Sequence, residues 1–366
     1  MDLDQLLHDI REGHRVTEQE AAGLLDLRGR KVFSVLAAAD EMREKKAGNA
    51  ISYVRNQNIH ITNICKNLCG FCGFGKSQGD KGAYCNDREE IEKKVALAVE
   101  RNVTEICLLS GVHPDFTIET YEDILAWVTR AAPGVHIHAF SPDEVAHASD
   151  RGGISTIEVL ERMRKAGLGS LQGTAAEILV DDVRSVICPN KLKTEMWVQI
   201  IRDAHRMKIP TTATIMYGSY ENNSDRAKHL SILRDIQDET GGFTELVPLT
   251  YIHAGTPLYQ QGIAKAGATG MEDILLVAVS RLFLDNFKNI QVSWGKLGLK
   301  MSEIALASGA NDFAGTMFAD DVSRDAGAES AEYLDPLIME RIAKDLGRPL
   351  RQRTTLYHLI QGTCAE

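Results

Sequence analysis

The sequence predicts an α/β protein built on a (β/α)8 TIM-type barrel. Three observations carry that reading. From about residue 51 the chain alternates eight short strand-like runs with seven helical patterns. The first run is not followed by the Gly-rich loop that a doubly wound, dinucleotide-binding sheet would place there. The ends of most runs are polar, as expected where barrel strands finish on an active-site face.

Taken in order, residues 1–50 read as a helical N-terminal cap. Thr17-Glu-Gln-Glu20 has the form of a capping box, in which a hydroxyl and a carboxylate satisfy free N–H groups at a helix start. The run 28–46 puts Val32, Phe33, Val35, Leu36 and Met42 on roughly one face. The barrel is expected over 51–319, with strands at 58–65, 105–110, 135–140, 170–173, 211–217, 244–249, 290–294 and 311–315. Helices are expected near 88–101, 119–131, 155–166, 194–207, 225–238, 271–286 and 297–308, with Asp87, Thr194 and Ser224 as N-caps. Residues 320–366, with Tyr333, Tyr357 and the basic Arg348-Pro-Leu-Arg-Gln-Arg353, form a C-terminal closing segment that also holds Cys364.

Bulk properties narrow the function. The 366 residues suit one large α/β barrel or two ordinary domains, and 44% apolar with 25% charged residues is ordinary for a soluble globular protein. A net charge of −10 gives no support for nucleic acid or an anionic membrane as partner. No apolar run approaches the ~20 residues of a membrane span. The start, Met1-Asp-Leu-Asp-Gln-Leu-Leu-His-Asp9, lacks the basic and apolar regions of a signal peptide. A cytoplasmic location is expected, and the seven cysteines read as reduced thiols rather than a disulfide framework.

Three of those cysteines carry the chemistry. Cys65, Cys69 and Cys72 lie in Ile61-Thr-Asn-Ile-Cys-Lys-Asn-Leu-Cys-Gly-Phe-Cys-Gly-Phe74, spaced C-x3-C-x2-C. Cysteine thiolates are the usual ligands of iron–sulfur clusters, most of which take four. Three leave one iron open to a small molecule with its own donors. Competing readings are zinc with Cys85 as fourth ligand, a redox thiol or disulfide, and cysteines acting as small buried hydrophobes.

The strand ends add candidates. Ser110-Gly111 offers a backbone that a ligand can approach closely, or an ordinary turn. His136 and His138, spaced by two, point to one side of a strand and so into the barrel, as a substrate contact or proton carrier, or as satisfied core histidines. Glu177 follows Gly173-Thr-Ala-Ala and suits a ribose or an ammonium group, or a solvent-facing place in a helix's first turn. Cys107 and Cys188 read as structural.

The spacing C-x3-C-x2-C with Phe74 two residues on resembles the radical S-adenosylmethionine (SAM) enzymes, in which the open iron of a 4Fe–4S cluster takes SAM. Further stretches are similar to the deazaflavin-forming members of that superfamily, of the CofH type. They are Ser110-Gly-Val-His-Pro-Asp-Phe116, His136-Ile-His-Ala-Phe-Ser-Pro142, Gly173-Thr-Ala-Ala-Glu-Ile-Leu-Val-Asp181, Ile187-Cys-Pro-Asn-Lys-Leu192, Thr214-Ile-Met-Tyr-Gly218, Gly241-Gly-Phe-Thr-Glu245, Gly309-Ala-Asn-Asp-Phe313 and Arg351-Gln-Arg-Thr-Thr-Leu-Tyr357.

The resemblance implies cleavage of SAM to a 5′-deoxyadenosyl radical and hydrogen removal from L-tyrosine. The side chain then breaks, and the 4-hydroxybenzyl fragment passes to 5-amino-6-(D-ribitylamino)uracil. It further implies an electron donor and a second radical SAM enzyme that closes the deazaflavin ring. By motif position, Cys65, Cys69 and Cys72 hold the cluster, and Phe74, Ser110, Gly111, Ser141 and Glu177 contact SAM. Ser141 serves the substrate as well. His138 is the polar, substrate-facing catalytic choice, with Tyr217 beside it. His253 and Lys296 are expected on the ribityl chain or the tyrosine carboxylate. The chain departs from the family pattern at Gly75-Lys-Ser77, at Thr250-Tyr251 and at Gly295. Alternatives are a menaquinone-pathway relative such as dehypoxanthine futalosine cyclase, and a metal-stabilised binding protein without turnover.

Overall fold

The computed structural model describes residues 2–318, 321–328 and 332–360, so Cys364 lies outside the described residues. Three helices come first: α1 (Leu3–Arg11), α2 (Glu18–Leu25) and α3 (Lys31–Ala47). The capping box forms as the sequence requires: Glu20 N–H donates to Thr17 Oγ1 (3.2 Å) and Thr17 N–H to Glu20 Oε2 (2.8 Å). The strand–helix series then runs β1 (Ile51–Val54), β2 (Asn56–His60), α4 (Arg88–Glu100), β3 (Glu105–Leu109), α5 (Ile118–Ala131), β4 (His136–Ala139), α6 (Pro142–Gly152), α7 (Thr156–Ala166), β5 (Ser170–Leu171), α8 (Asp181–Ile187), α9 (Thr194–Arg206) and β6 (Thr211–Tyr217). It continues through α10 (Asn223–Thr240), β7 (Phe243–Thr250), α11 (Pro257–Gln260), α12 (Gly270–Phe283), α13 (Trp294–Leu306), β8 (Asp312–Gly315), α14 (Asp321–Asp325), α15 (Pro336–Asp345) and β9 (Leu350–Arg353). Asp87 caps α4 as expected, whereas α9 begins after Lys193 and α10 is capped by Asn222, not Ser224. No helix among the described residues is long and apolar enough to cross a membrane.

Strands β2 to β7 pair in sequence order, all parallel, as a barrel's do. The expected strand at 290–294 is only a pair of parallel bridges, Leu246 with Ile290 and Gln291 with Asp312, which carry the sheet from β7 to β8. The circuit returns to β2 where Asn58 N–H donates to Met317 O (2.9 Å). Two strands not anticipated, β1 and β9, pair in parallel with each other, and β1 also with β8. The N-terminal helices pack outside, α2 on α10 and α12, and α3 on α12.

Period-two alternation sorts the barrel strands. On β3, Ile106 and Leu108 are fully buried in the apolar layer under the helices. Glu105, Cys107 and Leu109 take the opposite side and face inward. The lower interior is polar: Asn56, Glu105, His136, His138, Ser170, Glu245 and Asp312 come from β2, β3, β4, β5, β7 and β8. Its floor is sealed by the C-terminal segment. Arg353, 1% exposed at the end of β9, donates to Asp312 Oδ2 (2.5 Å) and Oδ1 (2.9 Å) and to Glu245 Oε2 (3.3 Å). Its guanidinium stacks on the Tyr357 ring at 3.9 Å, and the Tyr357 hydroxyl donates to Glu245.

Candidate active site

A cavity opens at the C-terminal ends of the strands, lined by Leu109 and Ser110 after β3, Ser141 after β4, Gln172 after β5, Met216 of β6 and Leu249 of β7. Its remaining wall is the cysteine loop. That loop leaves β2 and folds back through two single bridges, Ile64 with Lys76 and Thr62 with Cys85. It is tied to the end of β3 by Lys66 N–H to Val112 O (2.9 Å) and Gly111 N–H to Thr62 O (2.8 Å). Cys65, Cys69, Cys72, Phe74 and Gly75 all line the cavity. Gly75 N–H donates to Cys72 Sγ (3.4 Å). The Phe74 ring packs between His60 (5.5 Å) and Tyr84 (6.4 Å). The short α14 covers the loop: a Cβ on Gly73 would lie 2.6 Å from Asp325 O, so only glycine permits this approach.

Opposite stands a buried charged wall. Lys191 Nζ donates to Glu177 Oε1 (2.6 Å) and lies 3.8 Å from Asp143 Oδ2. Burial works against the lysine's charge, but the Glu177 carboxylate and its neighbours hold its pKa well above the usual value. The loop carrying Glu177 is clamped by Arg184, which donates to Ala176 O (2.5 Å), Ala175 O (3.1 Å) and Leu192 O (2.5 Å). His229 pins its far side: Nδ1 accepts from Leu179 N–H (3.0 Å) while Nε2 bonds Thr214 O (2.9 Å). Those two bonds need a neutral ring, and burial pushes its pKa down to about 3. A depressed folded-state pKa contributes stability that is complete above about 6.5 and is lost as pH falls toward about 3. We therefore expect acid unfolding followed by circular dichroism to lose part of its slope over that window in His229→Leu. At neutral pH that variant should be about 1–3 kcal/mol less stable, from the two groups left unpaired.

The structure brings together most of the residues singled out in the sequence, but not all. Cys65, Cys69, Cys72, Phe74, Ser110, Gly111, Ser141, Glu177 and Lys296 share the one cavity. Lys296 Nζ donates to Ser323 Oγ on α14 (2.6 Å). Gly111 has a different reason from the one expected: a Cβ there would meet Ile64 O at 2.4 Å, so the glycine is required by the cysteine loop behind it. Glu177 is no helix-start residue; it sits 8% exposed in a loop, at φ +45°.

Three expected residues lie elsewhere. Tyr217 falls on the outward parity of β6 and donates to Asp273 Oδ1 of α12 (2.7 Å), away from the cavity that inward-facing Met216 reaches. Thr250 and Tyr251, one of the departures from the family pattern, line the cavity. His253 stacks edge-on against Tyr259 at 4.4 Å, outside the cavity lining. His138 faces inward but below the cavity, where Nδ1 meets Ser170 Oγ (2.7 Å), a hydroxyl it shares with His136 Nε2 (2.8 Å). Burial, with Arg353 nearby, pushes its pKa down to about 4, which suits a neutral structural ring. The residues that sequence reading passed over are Asn67, Asp143, Glu144 and Lys191, all on the cavity wall. An acidic pair in the first turn of the helix that follows a strand end, Asp143-Glu144, was the available signal.

The residues fit an iron–sulfur cluster with SAM. Among the described residues no three His, Cys, Asp or Glu side chains converge enough to hold a single ion. A cluster needs no such convergence, because each thiolate takes its own iron. Burial pushes the Cys69 and Cys72 thiols up, so their thiolate forms call for the positive charge that iron provides. Cys85, the fourth ligand of the zinc alternative, is exposed and does not line the cavity.

Residues 59–233 match the model of the radical SAM superfamily, and residues 240–361 that of the CofH/MqnC C-terminal region. The chain is 58% identical to a 5-amino-6-(D-ribitylamino)uracil–L-tyrosine 4-hydroxyphenyl transferase of Methanosphaerula palustris, over 98% of both chains. It is 58% identical to that of Methanoculleus marisnigri, again over 98% of both, and 44% identical to that of Methanocaldococcus jannaschii, over 90% of this chain and 93% of the other. Among solved structures, methylornithine synthase superposes with a TM-score of 0.74 at 18% identity, covering 94% of this chain and 97% of that one. The FeFe-hydrogenase maturase HydG of Carboxydothermus hydrogenoformans gives 0.75 at 16%, covering 97% and 80%. At these identities the likeness is one of fold.

Proposed function

The chain belongs to the 5-amino-6-(D-ribitylamino)uracil–L-tyrosine 4-hydroxyphenyl transferase family of radical SAM enzymes, and from that premise we propose that it cleaves the L-tyrosine side chain and joins the 4-hydroxybenzyl fragment to the aminouracil. The observation that carries the reading is the convergence of Cys65, Cys69 and Cys72 on one cavity at the strand ends, in a chain alike to such transferases along nearly its whole length.

Cys65, Cys69 and Cys72 would hold the 4Fe–4S cluster. When bound, cluster and SAM supply a 5′-deoxyadenosyl radical. The chain's own residues bind, orient and exclude water. Phe74 gives an aromatic face on the cysteine side, and Glu177, fixed by Lys191, offers a carboxylate to a hydroxyl or ammonium. Ser141 and Ser110 add polar contacts at the strand ends, and Lys296 brings a cation for a carboxylate. The cavity's largely apolar lining, with α14 across it, protects a reactive intermediate from water. His138 acts beneath the site by holding the interior in register; Tyr217 is left to packing and His253 to the rim. The reading places the work in the cytoplasm, with an electron donor and a second radical SAM enzyme for ring closure as partners.

The test is anaerobic. Protein reconstituted with iron and sulfide receives dithionite, SAM, L-tyrosine and the aminouracil, and products are followed by mass spectrometry. An aminouracil adduct heavier by a hydroxybenzyl group is the expected result. Deoxyadenosine without adduct would redirect the assignment to substrates of the futalosine type. No deoxyadenosine from a loaded cluster would overturn the enzyme reading.

A further inference from the structure

Glu144 is the third residue of α6, and one of its carboxyl oxygens serves that helix: Oε2 accepts Ser141 N–H at 2.7 Å. Glu144 is 3% exposed, lines the cavity, and its Oε1 has no hydrogen-bond partner among the described residues. The cap holds the carboxyl in place, so the free oxygen cannot swing out to solvent. Asn67, on the cysteine loop and on the same cavity, shows the same condition. Its Nδ2 donates to Asp143 Oδ2 (3.3 Å), leaving Oδ1 buried and unpartnered. Buried polar atoms are almost always bonded, and two unpartnered ones on residues that line one cavity point to a ligand whose polar edge completes the set.

Resting on the transferase reading, we propose that Glu144 and Asn67 bind the aminouracil ring, Glu144 donating to a ring carbonyl and Asn67 accepting from a ring or exocyclic N–H. The chemistry separates this ligand from the other substrate. L-tyrosine is a zwitterion, and its carboxylate suits the Lys296 ammonium. The uracil ring is neutral and suits a neutral partner. Burial, reinforced by Asp143 and opposed by the Ser141 bonds and Lys191, lifts Glu144 to about 8, so at neutral pH it carries a proton to donate. A carboxylic acid and a carboxamide present the same arrangement here, one acceptor for Ser141 N–H and one donor for the ligand. An aliphatic side chain presents neither.

The experiment is titration calorimetry of the full, cluster-reconstituted chain with 5-amino-6-(D-ribitylamino)uracil, and separately with L-tyrosine, anaerobically and without reductant. Glu144→Leu is expected to weaken aminouracil binding by about tenfold or more while moving tyrosine by less than about threefold. Glu144→Gln should stay within about threefold of wild type for both. Equal losses in E144Q and E144L would overturn the assignment, as would a loss confined to tyrosine or no loss at all. Should E144L fail to fold, an infrared difference spectrum of wild type decides. A protonated carboxyl band must shift on adding the aminouracil and be missing in E144Q; its absence from wild type refutes the proposal. Wild type that makes the hydroxybenzyl adduct while E144L binds aminouracil normally sinks only Glu144's role. Wild type that neither binds aminouracil nor makes adduct sinks the transferase reading itself.

Discussion

Cys69→Ala is expected to abolish deoxyadenosine formation while leaving the fold intact. Cys69 is 6% exposed on the cavity wall and packs with the apolar core, and alanine removes one sulfur without adding a polar atom. The structural cost should be about 1 kcal/mol, the usual scale of a single substitution. The functional cost is of another order. Altering a group that merely supports a metal ligand lowers affinity or activity by about 10–100-fold, and loss of the ligand itself should exceed that. Iron content, visible charge-transfer absorption and deoxyadenosine should fall together. Cys85→Ala is the control, since Cys85 is exposed and outside the cavity lining. Normal iron and deoxyadenosine in C69A, or their loss in C85A, would return the thiols to one of the competing readings.

Arg353→Leu should destabilise the whole barrel, by about 3–5 kcal/mol, because it leaves a buried ion cluster without its cation. Asp312 would keep Ser52 Oγ (2.5 Å) and Ala314 N–H (2.6 Å), but its bidentate partner would be gone. Glu245 already feels the strain of burial. Desolvation raises its pKa to about 7, Arg353 opposing and Asp312 adding to the rise. Without the guanidinium, Asp312 and Glu245 are left as buried acceptors with no cation facing them. Against a total stability of about 5–15 kcal/mol this loss is large. Urea denaturation monitored by fluorescence measures it. Arg353→Lys keeps the charge but loses the fork on Asp312 and the stacking on Tyr357, so its midpoint should fall between the two. An R353L midpoint within about 1 kcal/mol of wild type would show that charge does not hold the floor.

Much of the fold could be read from local pattern, because the information was local. Residues 105–109 and 211–217 are short runs rich in apolar and β-branched residues, a signal that needs no distant partner, so both strands were evident. The capping boxes at Thr17 and Asp87 use residues three apart. Ile290 and Gln291 were harder. Each pairs through one bridge only, so an apolar run that looked like a strand closes the barrel without forming one. Strands β1 and β9 were missed because four-residue runs become strands only when a partner some 300 residues away supplies the ladder.

The candidate site divides in the same way. Chemistry carried by spacing, as in Cys65, Cys69, Cys72 and Phe74, is written along a single loop and was open to reading. So was inward-facing His138, by parity alone. Which parity meets the cavity, and at what depth, is a matter of where the strand ends relative to its neighbours. That placed Tyr217 on Asp273 of α12 and put His138 below the site, on Ser170. Lys191 and Glu177 lie on separate loops and Asp143 in the first turn of α6, and they become one charged wall only when the barrel closes. Residue order alone thus determined the family and the barrel, and marked Cys65, Cys69 and Cys72 as the candidate cluster ligands. The tertiary structure decided which polar groups are buried together. The reason is physical: a charge or an unpaired oxygen gains its meaning from the desolvation and the partners that packing imposes.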